Sequence, residues 1–181
     1  MILIFGPTGS GKSVQGQILA ARQGWRWLSA GQLLRDTHNP ELIAEMQTGE
    51  LINNDKVNQI MGEALVRAAD IDKVVLDGFP RMVEQAHWLV ENRSFHGRSI
   101  DLVVVLEVPK EELSKRLHLR GRSDDGKDAI DEKLKIYGEE INPILDYFIE
   151  QGINVARVDG LGSVGQIHDR IMGELDKCKV A

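Results

Sequence analysis

The chain has 181 residues, 42% of them apolar and 28% charged, with 22 basic against 28 acidic side chains and a formal net charge of -6. That length suffices for one domain with one core, and the acidic balance excludes a general polynucleotide-binding surface, because a phosphate backbone is repelled away from local basic patches. The lone cysteine, Cys178, excludes an internal disulfide framework, and no apolar run reaches the ~20 residues of a membrane span.

Met1 to Phe5 is an apolar run closed by Gly6 and reads as a buried strand. It carries no basic leader or cleavage site, so a cytoplasmic protein is the expectation. Ser13 to Arg22 is helical in character, and Trp25 to Leu28 is a weaker strand. From Gln32 the pattern is helical again, broken at Pro40 and Gly49. Asn54 is placed to cap a helix to about Ala69, with Val57, Ile60, Met61, Ala64, Leu65 and Ala68 on one face. Lys73 to Asp77, Asp101 to Val108 and Ile153 to Val158 are further apolar strands, and helices fill 82–92, 110–120, 128–150 and 163–177. Strands apolar throughout and separated by helices predict an α/β fold, a parallel sheet covered on both faces. No repeat or linker divides the chain, so a single domain over 1–181 is expected.

Gly6-Pro7-Thr8-Gly9-Ser10-Gly11-Lys12-Ser13 satisfies G-x-x-x-x-G-K-[ST] at every position, between a strand and a helix. Glycines let such a loop wrap phosphate with its backbone N–H groups, the helix N-terminus favours the anion, and the lysine reaches the β/γ-phosphates. Ser13 can ligate Mg²⁺. The loop predicts binding of ATP or a similar triphosphate and leaves the acceptor open.

Three stretches bear on the acceptor. Ser29-Ala30-Gly31-Gln32-Leu33-Leu34-Arg35 follows the second strand. Asp77-Gly78-Phe79-Pro80-Arg81 ends the third, with Gln85 beyond it. An acid ending a buried strand can hold Mg²⁺ through its water shell or serve only as a turn residue, and an amide can both donate to and accept from a base edge. In the third stretch Arg116 and Arg120 share a helix face and Arg122 follows in the turn, with Lys133 downstream. Three guanidinium groups so close repel unless anions lie among them, which suits transfer between two phosphorylated nucleotides; a solvated helix end is the plainer alternative.

In order and spacing these stretches resemble the adenylate kinase family and its UMP/CMP kinase relatives, from Ile2 to about Ile171. The resemblance implies a P-loop NTPase three-layer fold with a five-stranded parallel sheet in the order 2-3-1-4-5. It also implies a monophosphate-binding segment at about 29–58 and a minimal lid at about 120–126. By the same resemblance Gly9, Ser10, Gly11, Lys12, Ser13 and Val14 bind ATP, Arg116 stacks on its adenine, and Ser13 and Asp77 serve the metal. Arg35 and Arg81 hold the acceptor phosphate; Ala30, Ile52, Gly78 and Gln85 surround the base; and Lys12, Arg81, Arg120, Arg122 and Lys133 act in the transfer. Asp124 and Asp125 organise the lid hinge.

Four departures from the family pattern stand out. Ala30 follows UMP/CMP kinases where adenylate kinases carry threonine, whereas Gln85 follows adenylate kinases. Lys133 replaces an arginine, which keeps the charge and loses the bidentate fork. Gln32 replaces an acid, removing an ion pair at small expected cost. Only Gly121 separates Arg120 from Arg122, a lid so short that some ATP hydrolysis without acceptor is expected.

The expected activity is ATP + AMP ⇌ 2 ADP with Mg²⁺, with pyrimidine monophosphate transfer, or a P-loop ATPase switching a protein or RNA partner, as alternatives. A monomer is expected, with a nucleoside monophosphate as partner and neither polynucleotide nor membrane. His38, His87, His96, His118 and His168 show no metal-ligand pairing, and Trp25, Trp27 and Trp88 read as core.

Overall fold

The computed structural model describes residues 1–48, 52–120 and 127–180. Strand β1 (Ile2–Phe5) leads to helix α1 (Lys12–Gln23), β2 (Arg26–Ser29), α2 (Ala30–Asp36), α3 (Pro40–Thr48) and α4 (Asn54–Arg67). Then come β3 (Val74–Asp77), α5 (Val83–Glu91), α6 (Arg93–His96), β4 (Leu102–Glu107), α7 (Lys110–Arg120), α8 (Lys127–Glu150), β5 (Val155–Asp159) and α9 (Val164–Lys177). Every strand and long helix expected from the sequence is present, with ends moved by at most two residues.

The five strands form one parallel sheet in the order β2-β3-β1-β4-β5. Alternation along β1 divides its side chains between two cores. Leu3 and Phe5 join α4, α5 and α8 through Met61, Leu65, Leu89, Ile144 and Phe148. Ile2 and Ile4 join α1 and α9 through Leu19, Ile171 and Leu175. Burying each such side chain contributes about 1.5–3 kcal/mol, so the central strand anchors both layers.

The adjacent strands β1 and β3 send their chains to opposite faces: α1 packs in one core, α5 in the other. Divergence of this kind opens a crevice beyond the carboxyl ends of the two strands. Gly6 and Gly78 both follow directly at that edge.

Two local arrangements differ from expectation. Asn53, not Asn54, caps α4, its side chain accepting from the N–H groups of Asp55 (3.0 Å) and Lys56 (3.3 Å). Asn53 has the non-helical backbone a cap requires, while Asn54 is already the first helical residue. The short helix α6 was not anticipated, because a single turn is too brief to show a period. Beyond the other end of α4, the Arg98 guanidinium donates to the carbonyls of Ala68, the C-cap, and of Ile71 (2.7 Å) and Asp72 (3.1 Å), fastening the turn between α4 and β3 to the segment before β4.

Candidate active site

The crevice is a cleft of about 240 Å³ lined from one end to the other by loop, strand-end and helix residues. At one end lie Gly6, Thr8, Lys12 and Ser13; at the other lie Ala30, Arg35, Ile52, Gly78, Arg81 and Gln85, with Asp77 between. Lys133 reaches it from α8.

The phosphate loop is shaped by its backbone. Gly11, the N-cap of α1, has φ +94°, a left-handed conformation that a side chain would strain, and no acidic residue follows in the first helical turn. Lys12 Nζ donates to the Pro7 carbonyl at 3.3 Å, folding the side chain back over the loop. Gly9 lies so near α7 that a Cβ there would come within 3.0 Å of Leu117. From α7, Arg116 donates to the Ser10 carbonyl (3.4 Å) and the Gly160 carbonyl (3.1 Å), and pairs with Glu112 at 2.8 Å. Arg116 thus clamps the loop to the residues after β5; neither it nor Val14, about half exposed on α1, lines the cleft.

Asp77 is buried, 1% exposed, and its Oδ2 has no hydrogen-bond partner. An orphaned carboxylate oxygen at the centre of a phosphate-binding cleft suits a cation, since burial without a partner is costly. Among the described residues no group of three His, Cys, Asp or Glu side chains could hold a metal by itself, so such a cation would take its remaining ligands from phosphate, water and the Ser13 hydroxyl.

On the acceptor side, Arg81 Nε donates to the Gly78 carbonyl at 3.0 Å, and the Phe79–Pro80 peptide is cis. Gln85 is 2% exposed; its Oε1 accepts from the Arg81 backbone N–H at 2.8 Å and its Nε2 donates to Asn54 Oδ1 at 2.7 Å. Gln32 substitutes hydrogen bonds for the ion pair its replacement of an acid removes. Its carbonyl accepts from Arg35 (3.3 Å) and its amide donates to Asp36 (2.7 Å), so Arg35 is oriented with no charge cancelled.

Helix α8 roofs the cleft with Lys133, Ile136, Tyr137, Glu140, Ile141 and Ile144, a stripe at helical spacing. Burial pushes the Tyr137 hydroxyl up to about 12, with Arg157 opposing and Glu107 adding to the rise. The sequence reading missed Tyr137, which the i, i+4 spacing from Lys133 could have found, and also missed Trp27 and Met46, which line the cleft from β2 and α3. The Arg120 side chain, Gly121, Arg122, Asp124 and Asp125 lie outside the described residues.

The parallel order β2-β3-β1-β4-β5, the glycine loop opening α1 and a cationic cleft beyond β1 and β3 define a P-loop phosphotransferase. A sequence model described as "Adenylate kinase" matches residues 4–153. The chain is 35% identical over 184 residues to an adenylate kinase of Thermus thermophilus, covering 96% of each. It is also 35% identical to the adenylate kinase of Maricaulis maris, over 97% of this chain and 98% of that protein. The adenylate kinase of Prochlorococcus marinus is 35% identical over 94% of this chain and 95% of its own length. The chain belongs to the adenylate kinase family.

Proposed function

We propose that this protein transfers the γ-phosphoryl group of ATP to a nucleoside monophosphate, with AMP the favoured acceptor and two ADP the products. The observation that carries the reading is the continuity of one cleft from Lys12 to Arg35, Arg81 and Gln85. An ATPase switch needs the loop end alone, whereas a second cationic end beside a base-sized apolar wall serves a second nucleotide. The relatives' printed names support AMP as that nucleotide.

The acceptor's α-phosphate oxygen is already ionised and attacks the γ-phosphorus directly; the bond to the β-phosphate oxygen breaks, and no general base is required. Catalysis is then a matter of alignment and charge. In this reading Gly9, Ser10, Gly11, Ser13 and Val14 bind the triphosphate, and Lys12 meets its β/γ-oxygens. Arg116 borders the donor base, and Arg35 and Arg81 hold the acceptor phosphate. Ala30, Ile52, Gly78 and Gln85 border the acceptor base, while the task of stabilising the transferring group is assigned to Arg120, Arg122 and Lys133. Ser13 and Asp77 would hold Mg²⁺, which when bound neutralises charge on the phosphates. The segment at about 29–58 serves as the monophosphate-binding part and about 120–126 as a minimal lid of a single domain, in a cytoplasmic monomer.

A substrate panel tests this: ATP·Mg²⁺ with AMP, dAMP, CMP, UMP, GMP or no acceptor, following diphosphate formation. ADP forming fastest with AMP, two per ATP consumed, is the expected result, with a slow hydrolysis in the arm lacking acceptor. Equal hydrolysis of ATP with every acceptor and with none would overturn the kinase reading.

A further inference from the structure

We propose that Asn54 is a positioning residue: it holds the amide plane of Gln85, the base-contacting side chain of the reading above, and so sets how sharply the site favours a base with an unprotonated ring nitrogen on its pairing edge. The inference rests on the nucleoside monophosphate kinase reading above.

The polarity of the arrangement follows from a group that has no choice. A backbone N–H only donates, so the Gln85 atom 2.8 Å from the Arg81 nitrogen is its oxygen. The Gln85 nitrogen then lies on the opposite side, 2.7 Å from Asn54, which must present its own oxygen. Reversing Gln85 would set its NH₂ against the Arg81 N–H, two donors facing each other in a site 2% exposed. Nε2 carries two hydrogens; one is given to Asn54, and the other is the donor that Gln85, a lining residue, can offer to the cleft.

Asn54 does not itself line the cleft, so it acts through Gln85. It is available for the purpose because Asn53 performs the helix cap. The two adjacent asparagines divide the work: one stabilises the start of α4, the other anchors the base-reading amide. With one end on Arg81 and the other on Asn54, the amide cannot swing about either bond. A fixed donor matches adenine N1 or cytosine N3, both acceptors, and opposes uracil N3–H and guanine N1–H.

The test compares kcat/KM for AMP, 1-deaza-AMP (N1 replaced by C–H), CMP, 3-deaza-CMP, UMP and GMP in the wild type, Asn54→Ala and Asn54→Asp, with thermal midpoints as a folding control. In the wild type, AMP exceeds 1-deaza-AMP by about 10-fold or more, as expected where a site's polar group loses its partner. Asn54→Ala brings that ratio to roughly 3-fold or less, because the amide is held at one end only. Asn54→Asp keeps an acceptor oxygen and retains the ratio, which a merely structural role would not require. Asn54→Gln, which displaces the acceptor by one methylene, replaces Asn54→Ala if that variant does not fold. An unchanged ratio in the truncated variant, loss of the ratio in Asn54→Asp, or a wild-type preference for UMP or GMP overturns the inference. A wild-type preference for CMP sinks AMP as acceptor and moves the comparison to CMP against 3-deaza-CMP. Failure to phosphorylate any monophosphate overturns the kinase reading and this inference together.

Discussion

Lys133 lines the cleft from α8, at the position where the family resemblance leads one to expect an arginine. An ammonium is a point charge, whereas a guanidinium forks between two oxygens at once, so lysine aligns two phosphates less firmly. Lys133→Arg is expected to raise kcat several-fold in a steady-state assay; an unchanged or lower kcat would show that the missing fork does not limit turnover. Single residues were legible in the sequence where their chemistry is local. Lys12 and Ser13 announce themselves by motif, and Gln85 by its distance from Asp77-Gly78-Phe79-Pro80-Arg81. Asn53 and Asn54 could not be told apart, because either can cap a helix and only the backbone decides which one does. The hold of Arg116 on Gly160, 44 residues away, leaves no trace in local sequence. Gln32 read as a lost ion pair, and only its contacts with Arg35 and Asp36 reveal the hydrogen bonds that replace it.

At the scale of elements, β1 is the central strand of the sheet, with all four of its residues buried and strands on both sides. Leu3 is wholly buried between β3 and β4 in the core beneath α4, α5 and α8. Leu3→Ala is expected to destabilise the fold by about 2–5 kcal/mol, read from the denaturant midpoint, because a cavity there cannot collapse without moving the sheet. A cost below about 1 kcal/mol would mean that the sheet closes over the gap. The strands were legible because fully buried parallel strands read as unbroken apolar runs, and the long helices because their faces repeat. The α8 stripe from Lys133 to Ile144 was not read as a cleft roof, since periodicity identifies an apolar face without naming what it covers. Trp27 and Met46 belong to the same lesson: tertiary packing, not pattern, brings them to the cleft.

For the whole molecule, two buried histidines couple folding to acidity. His96 accepts from the Arg98 backbone N–H at Nδ1 (3.3 Å), which leaves Nε2 to donate to the Leu89 carbonyl at 2.9 Å. Burial foremost holds it below the usual histidine value. His168 is lowered too, by burial and then by Arg22, and neither of its ring nitrogens has a hydrogen-bond partner. Both are neutral in the fold while the unfolded chain takes up protons as pH drops below about 6.5, so stability is full above that value and is lost on acidification. Between pH 7.5 and 5.5 the thermal midpoint is expected to fall, and His168→Leu should shrink the fall; an equal fall in that variant would remove His168 as a source. A parallel sheet covered on both faces was legible because its strands are apolar throughout and alternate with helices; the strand order came only with the family resemblance, and the anchoring of the parts was not legible. Arg98 grips the carbonyls just past α4, while the other end of that helix carries Asn54 to the Gln85 amide. Fourteen residues span roughly 21 Å, so the two anchors pin the helix at points that far apart and tie the residues before β4 to the loop after β3 through one rigid rod.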